Sequence, residues 1–161
     1  MRRRHAIAGA LGLWFTQSIG APRQLAEVVS WPRLRLLDGT EIEPAQWRGR
    51  SVLVVFWATW CGHCKRHIER LNRLYAAGNE TSPRVLAIAI DGDAVSVARH
   101  VRAQGWTLPV ALDEGRLRPL LTDRRSVPLS VLVGPEGQVR ERIPGEMSEE
   151  DIRQLLRGRS G

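Results

Sequence analysis

The sequence has little cysteine. Its 161 residues contain two, Cys61 and Cys64, which stand three positions apart. A chain of this length buries a core without covalent help, so it does not need the disulfide framework of small secreted domains. A bridge between such close positions closes a very short loop and stabilises a fold weakly. Chemistry therefore explains the pair better than a role as a structural staple.

The sequence also lacks a hydrophobic run long enough to cross a membrane comfortably. The nearest candidate lies at the N-terminus, where a basic start precedes an apolar run over residues 6–15 and then small and polar residues. This three-part layout is typical of an export signal. We predict an export signal or an N-terminal membrane tether over residues 1–21 and one globular domain over residues 22–161. Export would place the cysteines in an oxidising compartment.

A basic patch of the kind that binds nucleic acid is missing as well. The formal net charge is +7, and Arg2, Arg3 and Arg4 carry three of these charges, which leaves +4 for the remainder. The later arginines are interspersed with acidic residues, as on a solvated surface. We therefore expect no nucleic-acid partner. The sequence shows no internal repeat and no low-complexity segment.

Short apolar segments alternate with amphipathic ones along the rest of the chain. A β-hairpin is predicted around Asp38-Gly39, and the β-branched runs 51–58 and 84–90 are typical of strands buried on both faces. Helical periodicity follows each run. The first helix is predicted from Gly62 to near Gly78, and Asp91-Gly92-Asp93 opens a second that runs to about Gln104 and is terminated by Gly105. Two strands around the turn 134–137 and an amphipathic helix capped by Ser148 complete the pattern. The alternation predicts an α/β fold with a mixed sheet flanked by helices.

The cysteine pair lies where the first buried run passes into a helix. Cys61 is therefore expected at the helix N-terminus, whose free amides and dipole favour a thiolate. His63 can add positive charge or donate a hydrogen bond. A metal site is the alternative, because His63 or His67 can complete a Cys/Cys/His set for copper or zinc. A c-type haem site is excluded, since Lys65 and not histidine follows the second cysteine.

The segment VLVVFWATWCGHCKRHIERL resembles the active-site region of thioredoxin-fold proteins, and specifically of the exported TlpA/ResA-like thiol:disulfide oxidoreductases. The resemblance extends from about Val29 to Leu156 through LLDGTEIEPAQWRGR, IAIDGD, LPVALDEGRL and SVPLSVLVGPEGQVRERIPG. It implies a thioredoxin fold with an N-terminal β-hairpin and an inserted strand–helix unit. Residues 22–161 would then form a thioredoxin-like domain.

The resemblance also implies roles for individual residues. Cys61 corresponds to the exposed attacking thiol and Cys64 to the buried resolving thiol. Gly62 and His63 would set the redox potential, and Trp60 would flank the site. No metal is implied as a resident cofactor; the redox-active group is the Cys61–Cys64 disulfide itself.

The family's client groove is expected at Val127 and Pro128. Pro128 corresponds to a cis-proline whose loop holds the partner chain in extended pairing, while the sequence by itself indicates only that Val127 is extended. Val55 stands where thioredoxin has a buried aspartate beneath the dithiol. Without that carboxylate we assign no general base to Cys64, and Glu69 is a weak candidate.

The expected function is reduction of disulfides in extracytoplasmic client proteins, for example in the maturation of cytochrome c or of copper sites. The expected partners are those clients and an upstream, membrane-bound electron donor. We expect the protein to be a monomer. We expect it in the periplasm or an equivalent extracytoplasmic compartment, either soluble or tethered to the membrane. Three alternatives remain: a dithiol oxidase or isomerase of the same fold, a copper-delivery module, and a binding domain without redox activity.

Overall fold

The chain first forms the predicted hairpin. In this computed structural model, which describes residues 28–77 and 83–157, β1 (Leu34–Arg35) pairs antiparallel with β2 (Glu41–Ile42). The Asp38 carboxylate accepts the backbone N–H of Thr40 at 2.8 Å and closes the turn. A 3-10 helix, Pro44–Trp47, leads from the hairpin to the main sheet. The predicted export signal or tether over residues 1–21 lies outside the described residues, and among those described no helix is long and apolar enough to span a membrane.

Five strands and four helices follow, close to the predicted bounds. Because the apolar runs are β-branched and the segments between them are amphipathic, strands and helices alternate. In chain order they are β3 (Val52–Trp57), α1 (Gly62–Ala76), β4 (Arg84–Ala89), α2 (Ala94–Gln104), β5 (Val110–Leu112), α3 (Arg118–Leu121), β6 (Leu129–Val133), β7 (Val139–Pro144) and α4 (Glu149–Leu156).

The central sheet has the strand order β5-β4-β3-β6-β7. Strands β3, β4 and β5 are parallel, whereas β6 and β7 run antiparallel to their neighbours. This mixed sheet with the preceding hairpin is the thioredoxin fold that the sequence predicted, and β4 with α2 forms the expected strand–helix unit. Strand β3 is central, so its C-terminal end delivers the cysteine motif to the middle of one sheet edge.

Side chains from the sheet belong to two separate hydrophobic cores, because alternate residues of a strand point to opposite faces. On one face, Leu53, Val55 and Trp57 pack against the apolar sides of α1, α2 and α4. On the other face, Val54 and Phe56 pack against α3 and the hairpin region. The cysteine helix is thus fixed to the sheet along its whole buried side.

The helix termini carry the capping groups that the sequence indicated. The Asp93 carboxylate accepts the N–H groups of Val95 and Ser96 and starts α2, and Gly105, with φ 65°, ends it in the left-handed conformation. Ser148 forms a capping box at the start of α4. Such caps fix where α2 and α4 begin.

Candidate functional site

The two cysteines lie at the first turn of α1. Cys61 is the N-cap residue, and its Sγ accepts the backbone N–H of Cys64 at 3.2 Å. The structure joins the two in a disulfide with Cα atoms 5.2 Å apart. Cys64 is fully buried in the core between the sheet and α1, whereas Cys61 is partly exposed. In the reduced state a sulfur that caps a helix N-terminus is favoured as a thiolate.

A second loop closes over the dithiol from the start of β6. The Val127–Pro128 peptide bond is cis, and the Val127 carbonyl oxygen lies 3.9 Å from Cys61 Sγ. Pro128 is buried, and its carbonyl accepts the N–H of Gly145 at 2.8 Å. The Trp60 side chain, which precedes Cys61 in the chain, is 72% exposed. The Cys61 sulfur thus lies next to the Val127 carbonyl, and the residue before it in the chain is an exposed tryptophan.

The loop that precedes the cysteines is fastened by a residue from the neighbouring strand. Asp91, just after β4, accepts the backbone N–H of Thr59 at 3.0 Å and also the Thr59 hydroxyl. Because β3 and β4 are parallel, their C-terminal ends meet at the same sheet edge. The carboxylate therefore fixes the backbone two residues before Cys61.

His63, between the cysteines, belongs to a charged cluster on the exposed side of α1. Its Nδ1 lies 3.0 Å from Glu146 Oε2 and 2.8 Å from Arg66 Nη2. Arg66 binds both carboxylate oxygens of Glu146, and Arg70 Nη1 binds one of them. Hydrogen bonds from Arg66, then from His63 and Arg70, lower the pKa of Glu146 to about 2. Glu146 is therefore a carboxylate throughout the physiological pH range.

His67 lies on the opposite, buried side of the same helix, with 1% exposure. The Met147 N–H donates to its Nδ1 at 3.2 Å, which leaves the ring hydrogen on Nε2, 3.1 Å from the Ser130 hydroxyl. Burial is the main reason that the pKa of His67 falls from 6.5 to about 4. The ring is thus neutral at physiological pH.

This arrangement counts against His67 as a ligand of the metal site considered above. Both ring nitrogens of His67 are used by Ser130 and Met147, so the ring has no free lone pair for copper or zinc. In residues 28–77 and 83–157, no group of three or more His, Cys, Asp and Glu side chains could hold a metal ion. Glu69, the weak candidate for a base, pairs loosely with Lys65 at 4.0 Å, and no described contact joins it to Cys64.

Sequence reasoning missed Glu146, Asp91 and Ser130. Each contacts the cysteine region from a distant part of the chain; Glu146, for example, is 83 residues from His63. For His67 a signal existed, because positions 64, 67, 68 and 71 form one helical face. The structure brings the Val127 carbonyl next to Cys61, and it leaves Trp60 and Gly62 exposed on either side of Cys61 in the chain.

A family model and a curated protein both match most of the chain. A family model described as the AhpC/TSA family matches residues 21–142. The chain is similar to thiol-disulfide oxidoreductase ResA from Bacillus anthracis, with 28% identity over 154 residues that cover 94% of this chain and 89% of that protein.

Solved structures share the fold. StoA from Bacillus subtilis superposes with a TM-score of 0.70 at 21% identity, over 80% of this chain and 98% of that one. A secreted Mycobacterium tuberculosis disulfide oxidoreductase, described as homologous to Escherichia coli DsbE, gives a TM-score of 0.67 at 18% identity, over 78% and 94% of the two chains.

Proposed function

The chain belongs to the AhpC/TSA family and is a thiol:disulfide oxidoreductase, and we propose that it reduces disulfides of extracytoplasmic client proteins. The observation that carries this proposal is the position of the Cys61 sulfur. It caps the N-terminus of α1, is partly exposed, and lies 3.9 Å from the carbonyl of Val127. A sulfur in that position is both activated and accessible to another protein chain.

The reaction is an exchange of disulfide bonds. The Cys61 thiolate attacks one sulfur of a client disulfide, so that a mixed disulfide forms and the other client sulfur leaves as a thiol after taking up a proton. Cys64 then attacks Cys61 Sγ, which releases the second client thiol and forms the Cys61–Cys64 disulfide. Two electrons pass from the protein to the client, and a further dithiol must return them before the next cycle.

The client segment would bind beside Trp60 and Val127. The Val127 carbonyl lies next to the reacting sulfur, and the exposed indole of Trp60 offers apolar contact area. Backbone pairing of this kind recognises an extended chain with little dependence on its sequence. Pro128 would hold Val127 in this position, because it is buried and its carbonyl accepts the N–H of Gly145 at 2.8 Å.

The extracytoplasmic location is supported by the N-terminal pattern over residues 1–21 and by the secreted Mycobacterium tuberculosis protein with the same fold. Clients in cytochrome c or copper-site maturation, and a membrane-bound donor that reduces the disulfide again, are proposed from the resemblance to the ResA-like proteins. We propose that the protein acts as a monomer.

Oxidation or isomerisation of client thiols is the second candidate. A cationic His63 beside Cys61 would stabilise the thiolate and hence the reduced form, which makes the disulfide a stronger oxidant. The two candidates differ in the reduction potential of the pair. We expect a potential more negative than that of glutathione, as a reductase requires, whereas an oxidase requires a more positive one.

Insulin reduction with dithiothreitol tests the activity, and equilibration with glutathione tests its direction. We expect the wild-type protein to accelerate insulin reduction and Cys61→Ser to abolish the acceleration. A wild-type protein without activity would contradict the proposed function. A potential more positive than that of glutathione would transfer the proposal from reduction to oxidation.

A further inference from the structure

A three-residue turn between β7 and α4, Gly145 to Met147, contacts the loop at Pro128 and both histidines of α1. The N–H of Gly145 donates to the carbonyl of Pro128 at 2.8 Å. The N–H of Met147 donates to His67 at 3.2 Å. Between them, Glu146 directs its carboxylate to the residues on the exposed side of α1. We call this segment the 145–147 turn.

Two arginines of α1 bind the Glu146 carboxylate in addition to His63. Arg66 donates from Nε to Oε1 at 3.1 Å and from Nη2 to Oε2 at 2.8 Å. Arg70 also binds Oε1, and it binds the Met147 carbonyl at 3.2 Å. The carboxylate is therefore held in place by two arginines, independently of His63. The side chain of Glu146 is 18% exposed, against 73% for His63.

His63 Nδ1 faces two groups that demand opposite states of this atom. If Nδ1 carries hydrogen, it donates to Glu146 Oε2; if it has a lone pair, it accepts from Arg66 Nη2. An imidazolium carries hydrogen on both ring nitrogens, so it is compatible only with the bond to Glu146. Without the carboxylate, the guanidinium of Arg66 would stand against a second cation.

We propose that Glu146 is a positioning residue for thiol exchange at Cys61: its carboxylate keeps hydrogen on His63 Nδ1 and thereby allows a cationic imidazole beside the attacking sulfur. The proposal rests on the thiol exchange proposed above. It adds a residue 85 positions away in the chain, on a different element, that sets the balance between thiol and thiolate at Cys61. Arg66 and Arg70 orient the carboxylate.

Glu146→Gln tests this because it keeps the shape of the side chain and removes its charge. The reaction to follow is oxidised protein plus two glutathione giving reduced protein plus glutathione disulfide. We expect its equilibrium constant to fall by about threefold to tenfold, where tenfold corresponds to about 30 mV for a two-electron couple. The titration of the Cys61 thiolate should move to higher pH in the variant.

The direction in which the equilibrium constant with glutathione changes shows whether Glu146 acts through His63 or directly through its own charge. Removing a negative charge would by itself stabilise a thiolate and raise the equilibrium constant. In a His63→Ala background, Glu146→Gln should therefore leave the constant unchanged or raise it. Glu149→Gln serves as the matched control, because Glu149 is an exposed carboxylate that pairs with Arg73 and Arg153, and it should change nothing.

Three results would overturn the proposal: no shift in Glu146→Gln, a raised constant while His63 is present, or the same decrease in both backgrounds. A measurement on the wild-type protein guards against a variant that fails to fold. Ring-nitrogen chemical shifts should show hydrogen on His63 Nδ1 at neutral pH, and a bare Nδ1 would count against the idea. A wild-type protein that exchanges no disulfide with glutathione would instead overturn the proposed function itself.

Discussion

The two sides of the first two turns of α1 carry the same residue type in opposite environments. On the outer side, His63 is exposed and contacts the charged Arg66 and Glu146. On the inner side, His67 is buried and contacts a hydroxyl and a backbone N–H. Burial keeps the inner ring neutral, whereas the outer ring lies in solvent between two charged groups.

The difference shows how the reactivity of Cys61 can be changed without a loss of the packing that holds α1 to the sheet. The 145–147 turn fastens both sides, through Glu146 on the outside and Met147 on the inside. Changes on the outer side should therefore alter the chemistry of Cys61, and changes on the inner side should alter stability. The predictions below test whether the two sides are separate in this sense.

The largest effect on stability is expected for His67→Ala. The substitution leaves a cavity and deprives the Ser130 hydroxyl and the Met147 N–H of their partner, which together should cost about 3 kcal/mol of unfolding free energy. His63→Ala, on the exposed side, should cost less than about 0.5 kcal/mol. Urea denaturation of both oxidised variants measures the difference, and equal losses would contradict the comparison.

Between pH 6.5 and 4, the unfolding free energy should depend on pH because of the inner histidine, His67. His67 has a pKa of about 4 when folded and 6.5 as its ordinary value, so the unfolded chain binds more protons between these values. Stability is therefore full above pH 6.5 and falls by about 3 kcal/mol as the pH decreases towards 4.

His67→Gln is the matched variant, because its amide can accept from Met147 and donate to Ser130 without titrating. Its stability should be nearly constant between pH 6.5 and 4. The pKa of Glu146 is lowered from 4.5 to about 2, so its protonation should reduce the unfolding free energy of both proteins as the pH falls from 4.5 towards 2. A loss between pH 6.5 and 4 that persists in His67→Gln would refute the assignment.

A smaller effect, on chemistry rather than stability, is expected on the outer side. His63→Ala removes a group that can stabilise the Cys61 thiolate, so the pKa of Cys61 should rise and the disulfide should become a weaker oxidant. We expect the equilibrium constant with glutathione to change by about tenfold or less. An unchanged constant would leave the helix N-terminus as the source of activation.

The smallest effect is expected for Lys65→Ala. The ammonium group of Lys65 lies 4.0 Å from the Glu69 carboxylate, one turn along the exposed helix surface. Such pairs contribute about 0.3 kcal/mol and are screened by salt. Thermal unfolding at low and high salt should detect little change, and a loss above about 1 kcal/mol would show that the outer side also supports the fold.

Local patterns in the sequence were enough to predict the elements of the fold. The β-branched run before the cysteines forms β3, Asp93 and Gly105 bound α2, and Ser148 caps α4. These signals are local because capping and strand burial depend on neighbouring residues. The placement of Cys61 at a helix N-terminus followed from the same patterns.

The contacts that surround the cysteines could not be predicted in this way. Glu146 reaches His63 only because β7 and α4 return to the first turn of α1, and nothing near Glu146 in sequence indicates that. His67 was considered as a metal ligand although its helical spacing from Cys64 and Ile68 placed it on the buried face. Its polar partner, Ser130, is supplied by a strand 63 residues away.

Trapping of a mixed disulfide tests the central claim, the division between an outer attacking sulfur and an inner resolving one, most directly. Cys64→Ser and Cys61→Ser, each incubated with an oxidised client, would be compared by mass spectrometry without reductant. We expect Cys64→Ser to accumulate a client disulfide at Cys61, because attack proceeds and resolution does not. Accumulation instead in Cys61→Ser, with the client bound to the buried Cys64, would contradict the account.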